Sequence, residues 1–377
     1  MRTHVATVSR LIIVTRSAAL LSLSIGLAAC AGVSTLAVPV PARLASEAYR
    51  ERMGAIVSSW EAVGGSRTDR PRGWDDGLPA GAAVSAAWWG FYEGDATDSL
   101  QKAMDSGAPT VVVPKMPTPW IVSHTLSLRR SGVELCLEPG VVILAAQGAF
   151  RGGGEGLIEA NGPADFSILG YGAALRMRKS DYQKAPYEPA EWRHAISVRG
   201  VSRVLIAGLR IESSGGDGIY VGTLRDGDVH VPCEDIVLRD LEILDNHRQG
   251  VSIISARRLL IENCLIAGTS GTLPQSGIDF EPNSNDPGFK DCVVRDCRIE
   301  RNAGVGLLFL LSNLGARSEP ISIHVQGCII DNFPISVWLH GADNHVRGTL
   351  SFAGNSFRGL RILNGTPDLS VALSSAP

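Results

Sequence analysis

Short segments in which apolar and polar residues alternate recur along the chain from residue 203 onward. Each copy has an apolar residue, two mostly polar residues, a fourth residue of varied type, and an apolar residue two positions later. The six copies are IAGLRI (206–211), LRDLEI (238–243), IENCLI (261–266), VRDCRI (294–299), VQGCII (325–330) and FAGNSF (352–357). The alternation predicts β-strands, and the return every two to three dozen residues predicts a solenoid of stacked coils.

A second strand follows every copy of this repeat. The second strands are DGIYVG (217–222), QGVSII (249–254), SGIDFE (276–281), VGLLFL (305–310), PISVWL (334–339) and RGLRIL (358–363). Because side chains alternate across a strand, we expect one apolar residue of each strand to point inward, together with the residue two positions later. The first of these inward residues are Ile219, Val251, Ile278, Leu307, Ile335 and Leu360.

Two strand rows per coil, kept in register over six coils, resemble the right-handed parallel β-helix of the pectate-lyase-like superfamily. The resemblance implies an all-β fold: a single-stranded, right-handed parallel β-helix solenoid with an N-terminal helical cap. Polysaccharide lyases and polygalacturonase-type glycoside hydrolases share that fold. Equivalent residues of successive coils would lie about 4.8 Å apart. The cysteines at one repeat position (264, 297 and 328) are therefore expected to be small buried apolar side chains rather than metal ligands.

The first residues have the pattern of an export signal. Arg10 and Arg16 precede an apolar segment over 17–29 that is short for a bilayer span. It ends in Leu27-Ala28-Ala29-Cys30, which resembles the lipobox of bacterial lipoproteins. We therefore expect a signal peptide over 1–29, a lipid anchor on Cys30 that attaches the protein to a membrane, and a bacterial cell-envelope location at the periplasmic face or cell surface.

The remaining chain divides into three parts. Residues 30–84 form a predicted linker and helical segment, with helical spacing over 43–62. Residues 85–365 form the predicted β-helix domain, and residues 366–377 a loose tail. A helix that begins at Asp95 or Thr97 and ends by Gly107 precedes the strand 111–113 and resembles the cap of such domains.

Composition narrows the choice of partners. The chain is 45% apolar and has a formal net charge of −3, which becomes more negative once the three arginines of the signal segment are removed. A negative balance argues against nucleic acid as a partner. Capped solenoid ends predict a monomer.

Two acidic residues on one strand are candidates for catalysis. Asp279 and Glu281 lie at positions i and i+2, so both point to the outer face. Glycoside hydrolysis uses two carboxyl groups and needs no cofactor. Asp217 in a Gly-Gly-Asp-Gly turn, and His247 with Arg248 in the next coil, are the other catalytic candidates. These turns faintly resemble polygalacturonase motifs, but the doubled aspartate is absent and His247 lies three residues before its glycine.

Two other classes of function stay open. In a calcium-dependent polysaccharide lyase or epimerase acting by β-elimination chemistry, Arg248 or Lys179 would contact the sugar. Asp217, Asp279 and Glu281 would then bind Ca²⁺ through their oxygen atoms. In a non-catalytic surface protein, the same face would only bind glycan.

A polar and aromatic segment over 177–194, which we call the excursion, does not fit the repeat of the coils. We expect it to be a loop that covers a site. Aromatic rings are favoured at sugar-binding sites that are partly exposed to water. The expected ligand is an acidic polysaccharide. The residues expected to bind it are Lys179, Tyr182, Trp192, Arg193, His194, Tyr220, Gln249, Trp338 and His340.

Overall fold

The computed structural model describes residues 42–74, 77–283, 287–332, 337–340, 345–362 and 368–374. The predicted signal peptide and Cys30 lie outside these ranges and stay predictions. Within the described ranges, no helix has the length and apolar character needed to cross a membrane.

The coils share a flat face of nine parallel strands, which we call the front sheet. Its strands follow one another in chain order. They are Leu126–Leu128, Ile158–Asn161, Ile196–Arg199, Ile219–Gly222, Val251–Ile253, Ile278–Phe280, Leu307–Leu310, Val337–His340 and Leu360–Ile362. The inward residues, such as Ile219, Val251 and Ile278, are fully buried in the core.

Two further walls close each coil, so the solenoid has three strand rows where the repeat predicted two. The first wall contains Ala83–Ser85, Thr110–Val113, Glu134–Leu137, Cys233–Arg239, Ala256–Glu262, Phe289–Lys290, Cys292–Arg295, Ile321–Gln326, Gly348–Ala353 and Leu369–Ser374. The second contains Trp120–Val122, Val142–Ala145, Glu242–Leu244, Leu265–Ala267, Arg298–Glu300, Ile329–Asp331 and Ser356–Phe357. The long strands Ala164–Arg176 and Ser202–Glu212 run through both walls. A small antiparallel hairpin joins Leu224–Asp226 to Val229–Val231.

The bend between the two walls explains the repeat. In six successive coils the residue just before the fourth repeat position has a left-handed backbone, with φ between 52° and 75°. Glycine, asparagine and aspartate tolerate that conformation best. These residues are Gly208, Asp240, Asn263, Asp296, Gly327 and Gly354. The repeat therefore spans a corner, and in five of the six copies its first and last apolar residues belong to different strands, while the copy over 206–211 lies within the long strand Ser202–Glu212.

Strand pairing confirms the predicted ladder at this corner. Arg298 pairs with Leu265 and with Ile329, which places the preceding cysteines at equivalent levels. Cys264, Cys297 and Cys328 are buried free thiols, as predicted.

One coil has a register that differs from the prediction by two residues. Val337, rather than Ile335, pairs with Leu307, and Leu339 pairs with Phe309. Ile335 itself lies outside the described residues. A shift of two keeps every side chain on its predicted face, but it places Trp338 in the outer row that contains Asp279.

Two helices precede and cap the solenoid. Helix α1 spans Ala42–Glu61, as the spacing predicts, and helix α2 spans Thr97–Asp105 after a short 3-10 helix at Ala86–Trp89. The α2 side chains Leu100 and Met104 cover the first coil, and Asp95 Oδ1 accepts a hydrogen bond from the Thr97 amide at 3.0 Å.

Helix α1 instead lies against the outside of the first wall. Four of its side chains pack on outward residues of four successive coils. The helix residues are Tyr49, Met53, Val57 and Trp60, and their partners are Val112, Cys136, Leu169 and Ala207.

The prediction of a loose tail over 366–377 is wrong for half of that segment. Leu369–Ser374 is a strand that pairs in parallel with Gly348–Ala353 and extends the first wall by one level. Its alternating apolar residues, such as Val371, continue the inward pattern of the preceding strands.

A ladder of alternating charge marks the start of the first wall. Asp165, Arg203, Asp235, Arg258 and Asp291 occupy equivalent positions, each with φ close to 55°. Arg203 Nη2 lies 2.7 Å from Asp165 Oδ2, and Arg258 Nε lies 2.6 Å from Asp235 Oδ1. Each charge therefore has an opposite charge at the neighbouring level.

The Tyr49 hydroxyl fastens α1 to the solenoid, because it lies 2.9 Å from the carbonyl oxygens of both Leu137 and Leu169. We predict that Tyr49→Phe lowers the free energy of unfolding by about 1 kcal/mol. The matched control is Tyr92→Phe, since that side chain is 64% exposed. Chemical denaturation of both variants measures the difference. Equal stability of Tyr49→Phe and the unaltered protein would contradict this role.

Candidate functional site

The turns that lead into the front sheet bring together four of the five catalytic candidates. Asp217 lies two residues before the strand Ile219–Gly222, and Arg248 lies three before Val251–Ile253. Asp279 is inside the strand of the following coil and Glu281 is just after it. Because successive coils stack in register, these side chains converge.

Arg248 is the centre of this cluster. Its Nη2 lies 2.8 Å from Glu281 Oε2, its Nη1 lies 3.9 Å from Asp217 Oδ1, and its Nε lies 3.7 Å from Glu191 Oε2. Burial lowers the pKa of Arg248, but the charges of Asp217 and Glu281 outweigh burial and raise it above its ordinary value. Arg248 therefore stays a cation between several carboxyl groups.

Sequence reasoning missed Glu191 as a member of the cluster. The residue belongs to the excursion over 177–194, and its contact with Arg248 depends on how that segment folds back. Its neighbour Trp192, predicted to bind sugar, is 56% exposed beside the cluster. The sequence signal that could have identified Glu191 is its position next to Trp192, which was predicted to bind sugar.

Asp279 is fully buried, although it belongs to the outer row of the front sheet. Gln249 Nε2 donates to Asp279 Oδ2 at 2.7 Å, and the Ser276 amide donates to Gln249 Oε1 at 2.8 Å. The Ser276 bond fixes which end of the Gln249 amide faces Asp279. Gln249 is itself buried, so its predicted contact with sugar is wrong.

Asp279 favours its protonated form. Burial and then the negative charge of Glu281 raise the pKa of Asp279 well above its ordinary value. Oδ2 already accepts from Gln249. Oδ1 is buried and has no hydrogen-bond partner among the described residues, so Oδ1 is the oxygen that can hold the proton.

Asp217 is a second buried acid. Burial raises its pKa to about 7, against the opposing effects of the Arg248 charge and the Ser252 hydroxyl. Its backbone amide donates to Nδ1 of His194 at 3.0 Å. That bond leaves the His194 proton on Nε2, and burial lowers the pKa of His194 to about 3. The Asp217–His194 contact is therefore not a charge pair.

The excursion over 177–194 lies directly on the turn that carries Asp217. A Cβ atom at Gly216 would be 2.6 Å from the carbonyl oxygen of Glu191, so this close approach requires glycine. Arg193 forms a β-bridge with Gly215. The segment thus covers Asp217.

Three residues predicted to bind sugar hold this cover in place instead. Arg193 is fully buried and donates to the carbonyl oxygens of Phe150, Arg151 and Glu188. Tyr182 packs against the Arg193 guanidinium at 5.3 Å. His194 is buried and stacks on Tyr220, with 4.7 Å between ring centres. A sugar at the surface cannot contact Tyr182, Arg193 or His194.

His247 and Lys179 line a different groove, of about 520 Å³, which includes the start of the excursion and does not include Arg248. The His247 ring contacts Gln183 Nε2 at 3.2 Å and Thr272 Oγ1 at 2.9 Å. Lys179 Nζ lies 2.7 Å from Asp245 Oδ1. The prediction that His247 and Lys179 join Arg248 in one site is therefore wrong.

Two other predicted sugar contacts lie along the front sheet. Tyr220 and Trp338 are partly exposed members of the row that contains Asp279. The backbone of His340 ends the strand Val337–His340, and its side chain lies outside what is described.

The predicted Ca²⁺ ligands do not fit a calcium site. Between Asp217 and Glu281 lies the cationic guanidinium of Arg248, where Ca²⁺ would require oxygen ligands. Among the described residues, no group of three or more His, Cys, Asp or Glu side chains is placed to hold a metal ion.

Comparisons with known proteins give a match to a family model over part of the chain. The family model for the right handed beta helix region matches residues 172–359. An uncharacterized protein of Bacillus subtilis (strain 168), YclG, is 36% identical over 96 residues. That match covers 24% of this chain and 16% of YclG, so the chain spans only a small part of that relative.

Solved structures share the architecture at low identity. An endo-xylogalacturonan hydrolase from Aspergillus tubingensis is 14% identical, with 74% of this chain and 73% of that chain covered and a TM-score of 0.47. A polygalacturonase from Erwinia carotovora ssp. carotovora is 12% identical, with 74% and 93% covered and a TM-score of 0.42. Such likeness concerns the fold alone. The parallel coils and this match, which covers about half of the chain, identify the fold as a right-handed parallel β-helix.

Proposed function

We propose that this protein acts on a polysaccharide and hydrolyses its glycosidic bonds. One observation carries the proposal: two partly exposed carboxyl groups, Glu191 and Glu281, lie within 4 Å of different nitrogens of Arg248, and Glu281 lies beside buried Asp279, whose pKa is raised. Glycoside hydrolysis requires a protonated carboxyl group and a second carboxylate close to it.

The exposed fractions of the carboxyl groups indicate which residue would act as the acid and which as the base. Glu281 is 24% exposed and would protonate the leaving oxygen, with the proton passed to it from buried Asp279, whose pKa is raised. Glu191 is 29% exposed and would activate water. The Arg248 guanidinium separates the two carboxyl groups, which suits an inverting reaction because water must fit between base and sugar. Asp279 and Asp217 are too deeply buried to contact the sugar themselves.

The proposal rests on the site and not on the fold, since one fold hosts many functions. The endo-xylogalacturonan hydrolase and the polygalacturonase carry names of the same reaction class. With the lipid anchor proposed at Cys30, the reaction would take place at the cell envelope.

Elimination chemistry receives less support from the same residues. A lyase needs a base that removes a proton next to the sugar carboxylate. Arg248 is a poor base here, because the surrounding acids raise its pKa above the ordinary value and keep it protonated.

We predict that Glu281→Gln and Glu191→Gln each reduce the rate of cleavage about 100-fold or more, since each removes an acid or base group. The assay incubates the purified protein with uronate, sulfated and neutral polysaccharides. It follows reducing ends together with the ultraviolet absorbance of unsaturated products. Glu242→Gln is the matched control, because that side chain is 53% exposed on the second wall.

Three outcomes of this assay would contradict hydrolysis by these residues. Full activity in both site variants would remove Glu191 and Glu281 from the reaction. An unsaturated product would indicate elimination. Binding of a polysaccharide without any product from the unaltered protein would indicate a glycan-binding protein.

The buried Asp217 predicts a pH effect on stability. Its pKa is about 7 when folded and near 3.8 when unfolded, so its contribution to stability is full below the unfolded value, falls as pH rises between the two values, and is lost above the folded value. Asp217→Asn should therefore gain stability relative to the unaltered protein between pH 5 and pH 8. Melting temperatures at both pH values measure this change.

The control for this experiment is Asp226→Asn, at an exposed position of the hairpin. Its melting temperature relative to the unaltered protein should not change with pH. A pH-independent difference for Asp217→Asn would show that Asp217 is ionised in the folded protein at both pH values.

A further inference from the structure

Four oxygen atoms buried beneath the candidate site have no hydrogen-bond partner among the described residues. They are both carboxyl oxygens of Asp217, Ser252 Oγ and Asp279 Oδ1. All three side chains are fully buried. Buried polar atoms are nearly always hydrogen-bonded, either within the protein or to ordered water. The proposed hydrolysis uses only Asp279 of these three residues, so Asp217 and Ser252 still need an explanation.

Strand register places Ser252 beside Asp279. The two residues pair across neighbouring strands of the front sheet, about 4.8 Å apart, and both point to its outer face. Asp279 Oδ2 already accepts a hydrogen bond from Gln249 Nε2, which leaves Oδ1 for another partner. The Ser252 hydroxyl is a neighbour that has both a proton and lone pairs.

The same hydroxyl also acts on Asp217. Burial raises the pKa of Asp217 to about 7, and the Arg248 charge and the Ser252 hydroxyl oppose that effect. His194 is no donor to this carboxyl group, because its Nδ1 lies 3.2 Å from Asp217 Oδ2 but already accepts from the Asp217 amide. Arg248 Nη1 is 3.9 Å from Asp217 Oδ1, which is too far for a hydrogen bond. Ser252 is therefore the hydroxyl donor that Asp217 can use.

A hydroxyl group between two acids can pass a proton from one to the other. It donates its own proton to one oxygen while it accepts a proton from the other, and rotation of the O–H bond reverses the direction. A metal ion is a poorer occupant of this space, because the Arg248 guanidinium already brings a positive charge close to Asp217.

We propose that Ser252 joins Asp217 to Asp279 in a buried proton relay, in which ordered water completes any link longer than a hydrogen bond. Asp217 is then a second store for the proton that Glu281 gives to the leaving oxygen. The relay deepens the proposed function and rests on it for the role of Glu281. The connection between the two buried acids can be tested without substrate.

The protons balance over one reaction cycle. The proton that Glu281 gives to the leaving oxygen comes from Asp279. The Ser252 hydroxyl then gives its proton to Asp279 and takes one from Asp217, which is left as an anion facing Arg248. A proton from solvent returns to Asp217 by the reverse path through Glu281, which is 24% exposed. No bond between heavy atoms of the protein changes.

The first test follows the infrared absorption of protonated carboxyl groups against pH, in the purified full chain without substrate. Asp217→Asn and Asp279→Asn each remove one band and so assign it. In Ser252→Ala we expect the Asp217 titration to move up by about one pH unit, since a hydrogen bond to a charged group is worth at least that much. The Asp279 band should shift in Ser252→Ala and also in Asp217→Asn, because the relay connects the three residues.

The other charged and titratable groups that face Asp217 are the same in the Ser252 variants. They are Arg248, Glu281, Glu191 and His194. A shift of the Asp217 titration in Ser252→Ala therefore reports the loss of the hydroxyl group.

Two variants separate the relay from a packing effect. Ser197→Ala removes a hydroxyl that is equally buried and also without a partner, but that lies three strands from Asp279 in the same row. It should leave both bands unchanged. Ser252→Thr keeps the hydroxyl on a residue that is favoured in strands, and it should restore the titration of the unaltered protein.

The second test uses a polysaccharide that the unaltered protein cleaves. Ser252→Ala should lower kcat about tenfold and leave KM unchanged, because the relay supplies a proton and does not contact the sugar. Ser252→Thr should recover the rate. An unchanged kcat in Ser252→Ala would show that Asp217 does not supply the proton of Glu281.

Failure of the relay differs from failure of the proposed hydrolysis. Equal infrared titrations of Ser252→Ala and the unaltered protein would overturn the relay, as would an Asp279 band that does not respond to Asp217→Asn. If both bands respond as expected but Glu281→Gln cleaves at the full rate, the proposed hydrolysis fails and the buried connection between Asp217 and Asp279 stands.

Discussion

In-register parallel pairing of successive coils is the constraint on which the rest of this molecule depends. Because each residue pairs with its equivalent in the next coil, residues far apart in sequence come within one strand spacing of each other. The same pairing stacks Cys264, Cys297 and Cys328 in the core and delivers Asp217, Arg248 and Glu281 to one place on the surface. The same register of strand pairing therefore produces both the packed core and the candidate site.

Burial of carboxyl groups beneath a loop gives the candidate site its chemistry. Asp279 would be an ordinary ionised acid on an open strand, but burial and the neighbouring charge of Glu281 favour its protonated form. Arg248 limits the cost of collecting several acids because it contacts three of them. The buried Arg193 fixes the cover through backbone carbonyl groups and aromatic rings rather than through a carboxylate.

Much of the fold was predictable because a solenoid repeats a local pattern, and the alternation of Ile219, Val221 and their equivalents reports that pattern directly. The third strand row was not, because the left-handed corner residue, for example Asn263, interrupts a segment that reads as one strand. At the site, Asp217, Arg248 and Glu281 followed from their equivalent turns. Glu191, and the burial of Arg193 and Gln249, depend on how the excursion folds back, and no periodicity encodes that path.

The alternating ladder of Asp165, Arg203, Asp235, Arg258 and Asp291 has a consequence for how such a chain can lengthen. Duplication or deletion of a single coil within this stretch would place two like charges at adjacent levels, where their repulsion is unfavourable. Gain or loss of two coils would preserve every pairing of opposite charges. The unit of growth in this part of the solenoid is therefore a pair of coils, although the unit of folding is one.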